Sequence, residues 1–189
     1  MTDMLETIAR RAELLRAERV PVLVAIDGCC GSGKTTLAAA LAERLQAQVI
    51  HMDDFFLRPE QRTPARYRTP GENVDHERFL AEVLLPLRRG EPALLRRFDC
   101  RSFTLQPPTE LPPAEVYIIE GSYSLHRELR GLYDLRIFLT AEPDEQLRRI
   151  TLRNGAEKAE EFRTRWIPLE NLYFDSLPVA ELCDYVFKT

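Results

Sequence analysis

Residues 21–46 read PVLVAIDGCCGSGKTTLAAALAERLQ, and the fold turns on this stretch. Pro21 to Asp27 is a short, nearly unbroken apolar run rich in β-branched residues, the pattern of a strand covered on both faces in a parallel sheet. A glycine-rich turn follows, Gly28-Cys29-Cys30-Gly31-Ser32-Gly33-Lys34-Thr35. Beyond it, Thr35 to Gln46 sets Leu37, Leu41 and Leu45 on one face of an alanine-rich helix. The turn fits G-x-x-x-x-G-K-[ST] at every fixed position, in the strand-then-helix context that this pattern requires.

The chemistry explains the residue types. Glycines let successive backbone N–H groups turn inward around a phosphate, and the helix that follows adds the positive end of its dipole. Gly28, Gly31, Ser32, Gly33, Lys34, Thr35 and Thr36 are therefore expected to hold ATP. Lys34 is expected to reach the β- and γ-phosphates, and the Thr35 hydroxyl to ligate Mg²⁺. The loop alone leaves the reaction open, because GTPases, motor ATPases and small-molecule kinases share it. Neither N-K-x-D nor a D-x-x-G after the second strand occurs, which disfavours a GTPase. The 189-residue length leaves no large second domain for a motor.

Working outward, strand and helix patterns alternate. Strands are expected over 48–52, 93–98, 116–119, 135–140 and 184–187. Helices are expected over 1–19, 74–89, 143–154 and 161–176, with mostly loop from 53 to 73. This alternation predicts an α/β P-loop NTPase fold: a parallel five-stranded sheet flanked by helices, with a small lid. Residues 1–189 are expected to form a single domain, with an N-terminal amphipathic helix over 1–19 and the lid near 154–166.

His51-Met52-Asp53-Asp54-Phe55-Phe56 follows the second strand. Ligands of open α/β sheets bind at the carboxyl ends of the strands, so Asp53 and Asp54 should face the crevice beside the γ-phosphate. A kinase needs a carboxylate there to orient the acceptor hydroxyl and take its proton. A helix N-cap is the alternative use of such aspartates.

At these residues the chain resembles the uridine kinase family of P-loop small-molecule kinases, whose second strand ends in an aspartate, then Ser or Asp, then two aromatics. The resemblance implies that Asp53 is the catalytic base. It runs on through Asn73-Val74-Asp75-His76, through Phe98-Asp99 and through Ile119-Glu120-Gly121, to the closing Asp184-Tyr185-Val186. It implies that Asp75 grips the acceptor's hydroxyls, with capping of the following helix as the alternative. It places Phe98 and Asp99 in a substrate-covering hairpin and gives Glu120 a share in holding Mg²⁺ alongside Thr35 and Asp53. The family's hairpin carries a base-reading His. This hairpin has none, and Arg101 stands in that stretch as the substrate candidate.

Arg148, Arg149, Arg153, Lys158, Arg163 and Arg165 crowd the expected lid, and arginines on a closing lid neutralise the charge of the transferring phosphoryl group. Arg149 and Arg153 are taken as catalytic. The interleaved Glu157, Glu160 and Glu161 allow a solvated charged face instead. His51, His126 and the aromatics of Trp166 to Phe174 are expected to be structural.

A net charge of -4 argues against wrapping duplex nucleic acid. Cys29, Cys30, Cys100 and Cys183 fit neither a zinc site nor a disulfide framework, and no apolar run approaches membrane-spanning length. Together these place the chain in the cytoplasm as an expectation. The expected function is transfer of the γ-phosphate of ATP to a hydroxyl of a small molecule such as uridine or cytidine. The alternatives are a kinase of another metabolite (pantothenate, nicotinamide riboside, a sugar or sugar phosphate) and a non-catalytic ATP-binding switch.

Overall fold

A computed structural model describes residues 2–189, so Met1 of the expected N-terminal helix lies outside the described residues. In chain order the elements are α1 (Thr2–Glu18), β1 (Val22–Gly28), α2 (Lys34–Leu45), β2 (Gln48–His51) and the short α3 (Pro64–Arg68). Then come α4 (His76–Phe79), a π-helical turn (Leu80–Leu84) and α5 (Leu85–Arg89). The two-residue strands β3 (Leu94–Leu95), β4 (Phe98–Asp99), β5 (Thr104–Leu105) and β6 (Thr109–Glu110) lead to β7 (Val116–Glu120) and β8 (Leu135–Thr140). The chain closes with α6 (Pro143–Asn154), α7 (Ala156–Glu161), a second π-helical turn (Phe162–Trp166), α8 (Ile167–Ser176) and β9 (Tyr185–Lys188).

Five strands form one parallel sheet in the order β2-β7-β1-β8-β9. β1 is buried along its whole length, as its unbroken apolar run predicts, and its side chains alternate between two cores. Val22, Val24 and Ile26 join Ile8, Ala12 and Leu15 of α1 and Leu37, Leu41 and Leu45 of α2 on one face. Leu23 and Ala25 join Phe79, Val83, Leu84, Leu87 and Tyr173 on the other. Burying each such Leu, Ile or Phe contributes roughly 2 kcal/mol, which is why α1 and α2 hold to the sheet through a single apolar stripe.

The helical segments 76–89 and 162–176 each continue across a proline. Both contain a π-helical turn, ending two residues before Pro86 and Pro168 respectively. Proline supplies no N–H and its ring presses on the carbonyl four residues back. Widening the preceding turn relieves that contact and lets the helix go on.

Three sequence expectations are corrected. Residues 53–73 are more ordered than a loop, holding two 3₁₀ turns and α3. The single strand expected over 93–98 divides into β3 and β4, which pair antiparallel with β6 and β5 in separate ribbons, because Pro107, Pro108, Pro112 and Pro113 bar a longer ladder. Helix resumes at Ala156 rather than 161, since only Gly155 interrupts the charged stretch.

Candidate active site at the carboxyl edge of the sheet

Parallel register brings the ends of β1, β2 and β7 side by side: Ile26 pairs with Glu120, and Glu120 with His51. The chain then leaves β1 at Gly28, whose φ is +141°; a Cβ there would lie 1.9 Å from the Leu139 carbonyl oxygen. Only glycine lets the loop pass so close to β8. Gly33, at φ +90°, caps α2 so that Lys34 begins the helix.

Lys34 is buried and donates to the carbonyls of Gly28 (2.7 Å) and Cys29 (2.9 Å) and to Ser122 Oγ (3.3 Å). Thr35 Oγ1 lies 3.3 Å from both oxygens of Glu120, and His51 Nδ1 lies 2.5 Å from Glu120 Oε1. That hydrogen bond, above all, raises the His51 pKa. Asp53 enters from the 3₁₀ turn after β2. Burial, and then the charge of Glu120, push its carboxyl above the ordinary range, while Lys34 and His51 pull the other way. Asp54 is raised mainly by burial as well, and Arg97 lies 3.3 Å from it. The donors available to a cation are a hydroxyl and carboxylates, the hard oxygen set that Mg²⁺ takes while keeping several waters.

Lys34, Thr35 and Asp53 line a cavity of about 460 Å³, and Glu120, His51 and Asp54 are not part of its lining. Gly31, Gly33, Lys34, Thr35 and Thr36 form its loop side, and Arg153 and Lys158 come from the lid side. Asp53, Phe56, Asn73, Val74, Cys100, Tyr123 and Trp166 form much of the rest. The sequence thus brought Lys34, Thr35, Asp53 and Arg153 into one cavity. Trp166, expected in the core, lines this cavity instead, with its ring 6.1 Å from that of Phe56.

Other expected site residues lie elsewhere. Asp75 is buried as the cap of α4, accepting from the Arg78 amide (3.3 Å), and is paired with Arg78 (3.1 Å) and Arg58 (3.3 Å). Phe98 is packed into the core beneath Arg62. Asp99 accepts from the Arg101 amide (2.8 Å) on an exposed turn, and only Cys100 of that turn reaches the cavity lining. Arg149 backs the loop from behind, donating to Glu145 (2.7 Å), the Gly31 carbonyl (3.2 Å) and Thr189 (2.8 Å). Arg148 and Arg163 pair with glutamates on their own helical stretch, the solvated face that the interleaved acids allowed. His126 is fully buried and stacked on His76 at 3.9 Å, with Glu72 beside the pair.

Two carboxylates escaped the sequence reading. Asp27, at the end of β1, accepts from the amides of Gly28 (2.7 Å), Tyr123 (3.1 Å) and Leu125 (2.9 Å) and from the Tyr173 hydroxyl (3.1 Å). Its polar character inside an apolar strand was the available signal. Burial lifts its pKa from 3.8 to about 6, so the fold binds that proton more tightly than the unfolded chain does, and stability falls as pH rises through this interval. Asp27→Ala strands these donors, and its expected cost is about 3 kcal/mol, read as a lowered urea midpoint at pH 7. In the variant the slope of stability between pH 4 and 6 should flatten. Glu170 of α8, buried against the phosphate loop, is the other.

The sequence family described as AAA domain matches residues 24–167. Uridine kinase of Anoxybacillus flavithermus is 30% identical over 147 residues, covering 73% of this chain and 69% of that one. Uridine kinase-like protein 3 of Arabidopsis thaliana is 29% identical over 76% of this chain, but the match spans only 33% of that protein, about a third of its length. A solved structure of a candidate fructose transport system kinase from Silicibacter sp. TM1040 superposes with a TM-score of 0.70 at 27% identity, covering 97% of this chain and 98% of that one. The chain belongs to the AAA domain family by the first match and to the uridine kinase-like P-loop kinases by the second.

Proposed function

We propose that the chain transfers the γ-phosphate of ATP to a hydroxyl of a small neutral molecule, with a nucleoside such as uridine or cytidine as the acceptor. The observation that carries this reading is the meeting of Lys34, Thr35 and Asp53 with an aromatic wall in one cavity. Phosphate binding, a proton acceptor and an acceptor seat are thereby side by side. The basic side chains lining the cavity are Lys34, Arg153 and Lys158, on the loop and lid sides. The rest of the lining offers Phe56, Val74, Cys100, Tyr123 and Trp166 together with Asn73, Glu161 and Glu170, a mixture that suits an uncharged ring with hydrogen-bonding edges better than a carboxylate or phosphate.

In this reading residues 28–36 cradle the ATP phosphates and Asp53 takes the acceptor proton. Arg153 and Lys158, from a lid over about 154–166 and the helix before it, neutralise the transferring group. Thr35, Asp53 and Glu120 would hold Mg²⁺, which when bound neutralises phosphate charge. Among the described residues no helix is long and apolar enough to cross a membrane.

A sugar acceptor is the second reading, favoured by the name of the Silicibacter protein and its match along nearly the whole chain. Release of ADP from Mg-ATP with uridine, cytidine, other nucleosides, nicotinamide riboside, fructose and pantothenate decides between them. Stimulation by a nucleoside supports the proposal. Stimulation by fructose alone moves the acceptor to sugars, and stimulation by pantothenate overturns the neutral-acceptor argument.

A further inference from the structure

Glu170 is 5% exposed, and no cationic side chain lies within ion-pairing distance of it among the described residues. Its Oε2 accepts from the Cys30 amide of the phosphate loop (2.8 Å), and its Oε1 accepts from the Ser122 hydroxyl (2.6 Å). Ser122 Oγ in turn stands 3.3 Å from Lys34 Nζ and 3.1 Å from the Gly28 carbonyl. A hydroxyl has one proton. With that proton given to the carboxylate at the shorter distance, its lone pair is left facing the Lys34 ammonium. One side chain of α8 therefore fixes an amide of the loop and, through Ser122, the loop's lysine.

The partner of Glu170 within the loop is also where the lid-side helices meet the loop. Cys30 packs with Ile150 of α6, Ala159 of α7, Phe162 of the π-helical turn and Ile167 of α8, and its Sγ accepts from Gln146 Nε2 at 3.1 Å. The Cys30 amide donates to Glu170, so its hydrogen bond is committed to that carboxylate. A buried carboxylate beside a phosphate site works against anion binding unless its hydrogen bonds organise that site.

We propose that Glu170 is a positioning residue, holding the phosphate loop through Cys30 and the Lys34 ammonium through Ser122 in the arrangement that receives ATP. This rests on the reading of residues 28–35 as an ATP-phosphate loop. Removal of the carboxylate lets the Cys30 amide and Ser122 rearrange, and ATP affinity falls.

The test compares wild type, Glu170→Gln and Glu170→Leu by binding of Mg-mantATP, with thermal unfolding as the check on folding. Glutamine keeps an acceptor for the Cys30 amide and a hydrogen-bonding group for Ser122; leucine keeps neither. The expected result is a Kd about 10- to 100-fold weaker for Glu170→Leu and within about fivefold of wild type for Glu170→Gln. Kinetics with any acceptor should show the loss in KM for ATP, with KM for the acceptor unchanged. Equal Kd values for wild type and Glu170→Leu overturn the inference. So does equal weakening in both variants, which would assign the effect to charge. So does a change confined to the KM for the acceptor. Failure of wild type to bind Mg-mantATP overturns the reading of the loop itself.

Discussion

Lys34→Ala is expected to lower acceptor-dependent ATP turnover by about 10³-fold while leaving the fold intact. Lys34 is the ammonium at the heart of the loop, and its three donors meet Gly28, Cys29 and Ser122. Those carbonyls and that hydroxyl hold the charge beside the cradle, so the lysine needs little rearrangement to reach a β- or γ-oxygen. Charge-assisted donors aimed at a developing negative charge are among the largest single contributions to phosphoryl transfer. Arg153 and Lys158 line the lid side of the cavity and do not replace it. Steady-state ADP release, with circular dichroism to confirm folding, measures the effect. Turnover within tenfold of wild type would remove Lys34 from the catalytic set.

Asp53→Asn is expected to cut kcat by about 10²- to 10⁴-fold with ATP affinity changed by no more than a few fold, because the amide keeps the shape and loses the proton acceptor. Burial foremost raises the Asp53 carboxyl above its ordinary range. The ionised form is the base, so kcat should be lost as pH falls and Asp53 takes up a proton, which gives the wild-type profile an acid limb. Asp53→Asn should lack that limb. An unchanged kcat in the variant would move the base to another residue, with Asp54 the first to test.

The fold was legible because its information is local and repeated. The apolar run of β1, the glycine turn and the leucine stripe of α2 each point to the same layered sheet. Lys34, Thr35 and Asp53 were legible for the same reason, as each sits directly at the end of a readable element. Glu120 was placed by the strand that ends in it, and the register set it against Thr35. What escaped depends on distant contacts. Asp27 and Glu170 meet 122–125 and the phosphate loop only after folding, across sequence separations of 48 to 140 residues. Asp75 offered two uses from sequence, and the buried Arg78 drew it into capping and an ion pair. Arg149 and Arg153, four residues apart, share a face of α6, but Arg149, one turn earlier, is held at the Gly31 carbonyl and Thr189, and only Arg153 lines the cavity. Trp166 stood beside core aromatics in sequence, but the π-helical turn before Pro168 shifts the phase there, and its ring faces the cavity.

The fate of the γ-phosphate tests the central claim most directly. Wild-type protein would be incubated with γ-labelled ATP, Mg²⁺ and uridine or cytidine, and the products separated by chromatography, with Lys34→Ala as the blank. The account predicts label in a nucleoside monophosphate, formed by wild type and absent with the variant. Label found only in inorganic phosphate, at a rate indifferent to every acceptor offered, would contradict it and make the chain an ATP-hydrolysing switch.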